Sequence, residues 1–169
     1  AGSTSSGADD QQQRLMLRQA IVSHFEKELQ LFLLEKRGQL AAPMKPLTLF
    51  FIERVADYHP ADAKLRTWFV EEYESVRNDA RFRAIAERMP PVEDVHDGYF
   101  AEAKGVPKDA RAESKDAADA FERIMRRKED LLGFEEPLRF IFSHSALAEG
   151  WDNPNVFTIC NLQEGKSVM

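Results

Sequence analysis

The sequence predicts an α/β fold, a parallel sheet flanked by helices, and three observations point to it. Short apolar runs at 47–52, 138–142 and 156–160 are too brief for helices and rich in Phe, Ile and Val. The run at 47–52 is continuous rather than alternating, the pattern of a strand buried on both faces. Segments of helical period separate the runs, and strands joined through helices form parallel sheets.

The elements follow in order. Residues 11–37 read as a helix: Leu17, Ile21, Phe25, Leu29 and Leu33 recur every four positions, with Asp10 as cap and Gly38 as stop. Arg14, Glu26, Glu28 and Gln30 are assigned to its polar face, and His24 to its surface. The first strand, 47–52, follows the turn at Pro43 and Pro46. Helical period returns over 61–77 through Leu65, Trp68, Phe69, Tyr73 and Val76, then over about 79–88 through Phe82 and Ile85, and Pro90-Pro91 ends it. Residues 92–96 suit a brief strand with an Asp97-Gly98 turn, and 101–113 a loop. A helix over about 115–132 ends at Gly133, and strands at 138–142 and 156–160 complete the set. By segment, 1–10 is expected to be a disordered tag or linker, 11–45 a helix and its connection, and 46–169 the sheet-bearing unit.

Composition narrows the function. In 169 residues the net charge is −6, against a whole-surface nucleic-acid binder. The short basic cluster Arg123, Arg126, Arg127 and Lys128 reads as a solvated helix face. Cys160 is the single cysteine, so an intrachain disulfide and a thiolate metal cluster are both ruled out. His24, His59, His96 and His144 have no two-histidine metal spacing. No stretch suits a membrane span, and a cytoplasmic location is the default expectation.

Parallel sheets place ligands at the carboxyl ends of their strands, so function is expected just after Ile52, Val95 and Phe142. The third place holds Ser143, His144, Ser145, Ala146, Leu147, Ala148, Glu149, Gly150, Trp151, Asp152, Asn153 and Pro154. Hydroxyl and small residues at a strand end let backbone amides approach phosphate. Gly150 permits a tight turn that presents the Asp152 carboxylate. Ser143, His144 and Asp152 do not make a hydrolase triad, because adjacent strand residues point to opposite faces. Asp152 before Asn153-Pro154 also suits a plain turn carboxylate. Gly165-Lys166-Ser167 lacks the glycine at position 160 that a phosphate loop requires.

The string EPLRFIFSHSALAEGWDNPNVFTIC at 136–160 resembles motif V of superfamily-two helicases and, over its whole length, the restriction (Res) subunits of type III restriction-modification enzymes. LTLFFIERVADY at 47–58 looks like that family's motif IV, and FERIMRRKEDLLGF at 121–134 like its following helix. The resemblance spans about 14–164 and implies an incomplete second RecA-like lobe carrying motifs IV to V. It implies DNA-backbone contacts for Ser143 and Ser145, and an ATP cleft between two lobes for Gly150 and Asp152. The family commonly has Arg where this chain has Ala148.

The resemblance further implies a DNA-dependent ATPase motor within a site-specific endonuclease using ATP and magnesium. Its partners would be double-stranded DNA, a modification methyltransferase that recognises the site, and the first RecA-like lobe and nuclease domain of a longer chain. Within these 169 residues there is no phosphate-loop pattern, no Asp-Glu-x-His run and no arginine-bearing motif VI. The segment alone is therefore expected to be inactive, to hold no catalytic residue or metal, and to expose a sheet edge. Two other readings stay open: a non-enzymatic α/β interaction module with a helicase-like fold, and a Rossmann-type nucleotide domain, which lacks its glycine fingerprint.

Overall fold

The computed structural model describes residues 3–103, 106–108, 133, 135–144 and 157–162. The chain opens with helix α1, Ser3–Lys36, and continues through strand β1, Leu47–Ile52, helix α2, Lys64–Arg77, and a single helical turn α3, Val92–Val95. Strands β2, His96–Tyr99, β3, Ala101–Ala103, β4, Val106–Lys108, β5, Phe140–His144, and β6, Phe157–Asn161, follow.

The four long-range strands form one sheet in the order β2-β5-β1-β6, and every pairing is parallel. Parallel order and flanking helices make this the α/β sheet that the sequence predicts, consistent with the incomplete RecA-like lobe that the resemblance implies. All six residues of β1 are buried. By alternation Thr48, Phe50 and Ile52 share one face, Leu47, Leu49 and Phe51 the other. The first face lies against α1 and α2. There Phe50 stacks on Phe142 at 4.8 Å between ring centroids, and Phe69 of α2 meets Phe140 edge-on at 5.0 Å. Phe25 of α1 lies 5.5 Å from Tyr73 and 5.3 Å from Phe82, which closes the core between the helices.

Helix α1 buries Leu17, Ile21 and Phe25, whereas Leu33 is exposed toward its end. It starts at Ser3, so residues 3–10, expected as disordered, continue the helix. Asp10 therefore lies inside α1 and pairs with Lys64 at 3.2 Å instead of capping. The stop at Gly38 is as predicted. Its φ of 70° is a left-handed conformation, its N–H donates to Glu35, and the N–H of Gln39 donates to Leu34. That pair of bonds satisfies carbonyls the helix end would otherwise leave open.

Other expectations are corrected. Residues 79–88 are not an α-helix but a short 3-10 helix, Ala80–Phe82, followed by turns, with Asp79 accepting from the Arg81 amide. Of the strand expected over 92–96, Val92–Val95 is a helical turn and His96 opens β2, and Asp97-Gly98 lies within β2 rather than forming a turn. Part of the loop expected at 101–113 is the antiparallel pair β3–β4. The helix expected over 115–132 lies outside the described residues.

Candidate functional site

Because all four strands run the same way, their carboxyl ends share one edge of the sheet. The register sets Ile52 beside His144, Tyr99 beside Ser143, and Phe51 beside Asn161. Glu53, exposed, follows β1 at this edge.

Side chains tie the strand ends together. The Ser143 hydroxyl is buried and donates to the Tyr99 carbonyl at 2.9 Å. His144 Nε2 lies 3.0 Å from the Glu53 carbonyl, to which it can only donate. From α1, Gln13 Nε2 donates to the Leu162 carbonyl at 2.6 Å, and the Leu162 amide donates to Phe51 at 2.8 Å. Ser143 thus bonds to β2 and His144 to the residue just after β1, which removes the nucleophile–base pair a hydrolase triad needs.

Of the residues singled out in the sequence, Ser143 is at this edge with its hydroxyl already engaged. A DNA contact from it would require that bond to be given up. Ser145, Gly150 and Asp152 lie outside the described residues, as do Arg123, Arg126, Arg127 and Lys128. The expectation of function just after Val95 is displaced: β2 begins at His96, so that position is the amino end of the strand, and its carboxyl end is Tyr99.

The opposite, amino end of the sheet holds a polar cluster the sequence reading missed. His24 and Glu28, expected on the surface of α1, are buried. Glu28 Oε1 accepts from Arg139 Nε at 3.0 Å and from His24 Nε2 at 3.2 Å, while His24 Nδ1 accepts from the Thr48 hydroxyl at 2.8 Å. Arg139 also donates to the Glu136 carbonyl at 2.6 Å, and Lys45 Nζ donates to the same oxygen at 2.9 Å. Burial pushes His24 below its ordinary range and, aided by Arg139, brings Lys45 down to about 8. For Glu28 burial would raise the carboxyl, but the hydrogen bonds from His24 and Arg139 and the Arg139 charge outweigh it and hold the group low. The signal was in the spacing. Ile21, His24, Phe25 and Glu28 stand at i, i+3, i+4 and i+7, one helical face.

A groove of about 370 Å³ runs beside β2, lined by Tyr58, Arg66, Asp94, Asp97 and Tyr99 among others. At its wall the Tyr58 hydroxyl lies 2.6 Å from His96 Nδ1. Burial, with the Arg66 charge, lowers His96 to about 4, so the imidazole is neutral at pH 7 and Nδ1 accepts from the phenol. Burial raises Tyr58 well above its usual range. Neither group is poised as a base near neutrality. Among the described residues no group of three His, Cys, Asp or Glu side chains could hold a metal ion, and no helix is long and apolar enough to cross a membrane.

What remains chemically distinctive is a carboxyl edge that leads from β5 into the segment after His144. Three curated proteins match across it. The type III restriction-modification enzyme EcoP15I Res subunit of Escherichia coli is 36% identical over 163 residues, covering 90% of this chain. The EcoPI Res subunit of Escherichia phage P1 is 34% identical over 163 residues, again 90% of this chain. The StyLTI Res subunit of Salmonella typhimurium is 32% identical over 181 aligned residues, 92% of this chain. The chain is a relative of one segment of the type III Res subunits. It spans 16% of the first two of these proteins and 18% of the third. No family model matches the chain. The Res likeness agrees with the all-parallel sheet.

Proposed function

We propose that this Res-related segment supplies one wall of the ATP cleft and part of the DNA track of a motor in a type III site-specific endonuclease. The observation that carries the reading is the all-parallel sheet whose carboxyl edge continues into Ser145–Pro154 motif residues, within a chain alike to Res subunits over nine-tenths of its length. On this reading Gly150 turns the backbone so that the Asp152 carboxylate faces bound ATP. Ser145 contacts the DNA backbone, and Ser143 joins it only by exchanging its bond to Tyr99. Motors of this kind stabilise the transferring phosphoryl group by positioned charges. Those charges, with magnesium, belong to the first lobe and to motif VI of a longer chain.

The remaining elements of the proposal follow from that division. ATP and double-stranded DNA are shared ligands of the assembled enzyme, a modification methyltransferase supplies site recognition, and the nuclease carboxylates lie in another domain. The segment by itself neither hydrolyses ATP nor cuts DNA. The test is Asp152→Ala and Ser145→Ala in the longer Res-type protein with its methyltransferase. We expect Asp152→Ala to lower DNA-stimulated ATP hydrolysis roughly a hundredfold. Ser145→Ala should instead weaken the DNA stimulation while sparing ATP binding. Wild-type hydrolysis by both variants refutes the assignment.

One observation favours a second reading, a protein-interaction module. Leu15, at 64% exposure, and Met16 on α1, with Ile159 on β6, leave apolar side chains at the surface. Capture of the remaining parts of the enzyme by this chain, lost in Leu15→Lys and Ile159→Lys, with the longer protein devoid of ATP hydrolysis, would support it.

A further inference from the structure

The two outer strands of the described sheet, β2 and β6, differ in how they end it. An outer strand leaves a row of backbone N–H and C=O groups open, and proteins blunt such edges with charge, shortness or cover. β2 is four residues long, carries the exposed Asp97, and lies beside a groove lined by Arg66 and Asp94. β6, Phe157–Asn161, has no charged residue, no proline and no glycine. Its composition suits a strand inside a sheet, yet it stands at the margin.

Register and hydrogen bonding fix which groups β6 turns outward. The Leu162 amide donates to the Phe51 carbonyl, so by alternation the amides of Cys160 and Thr158 also face β1. The N–H and C=O of Ile159 then face the open side. Apolar side chains flank that opening on both faces of the sheet. Ile159 stands in register with the fully buried Leu49 and on the same face, but 49% of its own surface is exposed. On the α1 face Cys160 Sγ lies 3.9 Å from the Met16 carbonyl, and Met16 is 41% exposed. Lys27 of α1 also reaches β6, but its Nζ is bonded to the Thr158 hydroxyl at 2.6 Å, over the face and not across the edge.

We propose that β6 is an interior strand of the complete protein, and that its open side takes a further strand from the part of a Res-type chain outside this segment. The segment is 16% of the EcoP15I Res subunit, so such a chain has ample length to supply it. A strand of the same polypeptide meets the edge at an effective concentration on the order of mM, above that of a second copy in dilute solution. The incoming strand carries apolar side chains toward Ile159 on one face and toward Met16 on the other. The carboxyl edge of the sheet is then at least one strand wider than the four described here. The proposal rests on the family relation and on β6, not on the motor reading.

The test uses the full-length Res-type protein with its methyltransferase. Residue-level hydrogen exchange, read by mass spectrometry, compares the β6 amides. Thr158 and Cys160 face β1 in either case, so Ile159 decides. We expect the Ile159 amide to exchange at least about a hundredfold more slowly than an unpaired amide, in step with its two neighbours. Exchange at the unpaired rate overturns the proposal. A photo-crosslinking amino acid at position 159 identifies what covers the edge. The expected link is within one chain, to an apolar stretch outside these 169 residues. A link to a second copy, or to the methyltransferase, overturns the proposal. Ile159→Lys should lower the Tm of the full-length protein by several degrees and Ile159→Val should leave it nearly unchanged; a wild-type Tm in the Lys variant also overturns it. None of these readouts needs ATP hydrolysis, so a protein without hydrolysis would refute the motor reading and leave the strand pairing to be decided by exchange and cross-linking.

Discussion

Replacing Arg139 by Met tests how α1 is held to the sheet. The guanidinium is buried, donates to Glu28 at 3.0 Å and to the Glu136 carbonyl at 2.6 Å, and stands where β5 begins. Its removal leaves the Glu28 carboxylate, 3% exposed, with neutral His24 as its remaining side-chain partner. Breaking a buried ion pair from one side costs about 3–5 kcal/mol, because the surviving charge stays desolvated. That is a large share of the roughly 5–15 kcal/mol that stabilises a domain, and at about 2–4 °C per kcal/mol it lowers Tm by about 6–20 °C. Glu28→Leu should cost a similar amount. The double variant should recover at least about 2 kcal/mol relative to the sum, since it removes both buried charges together. Urea denaturation at pH 7, followed by circular dichroism, measures all three. Single variants within about 1 kcal/mol of the parent, with additive effects, would refute the account of a coupled buried pair.

Further outcomes follow from the same structure. Gly98→Ala should destabilise by about 1–3 kcal/mol through overpacking, since an added Cβ would stand 2.5 Å from Phe100 Cε2 and 2.8 Å from Tyr58 Cε1; the urea midpoint checks it. Stability should fall as pH drops from about 6.5, the ordinary histidine value, through about 4, the value for His96 in the fold. The sign is that of a base whose folded pKa is lowered: the unfolded chain binds the proton first, so up to about 3 kcal/mol is lost across that window. His24 shifts in the same direction, and His96→Gln should flatten the slope only in part. Burial raises the Cys160 thiol to about 12, so alkylation at pH 8 should be slow in the native protein and fast in urea, as followed by mass spectrometry.

The strands were legible because their chemistry is local. Leu47–Ile52 is a closed apolar run between a proline turn and Glu53, and its ends are the ends of β1. For β5 and β6 the strands run one or two residues beyond the apolar stretch, through Ser143, His144 and Asn161. Pairing with β1 and β2 sets their ends, not hydrophobicity. Asp97-Gly98 looked like a turn by composition. It is a strand because it pairs with Ile141 and Phe142 of β5, and the Tyr58 and Phe100 rings fill the space over Gly98. His24 and Glu28 were assigned outward by their polarity, although their partners, Thr48 and Arg139, lie 24 and 111 residues along the chain and cannot be read from a helical pattern. The same holds at the candidate site. Ser143 was readable as a strand-end hydroxyl, but its engagement with Tyr99, 44 residues away, was not.

Binding of a non-hydrolysable ATP analogue, by calorimetry, to this segment alone and to the segment joined to its first lobe tests the central claim most directly. The account predicts negligible affinity for the segment and magnesium-dependent binding for the joined pair. Tight, magnesium-independent binding by the segment alone would contradict it.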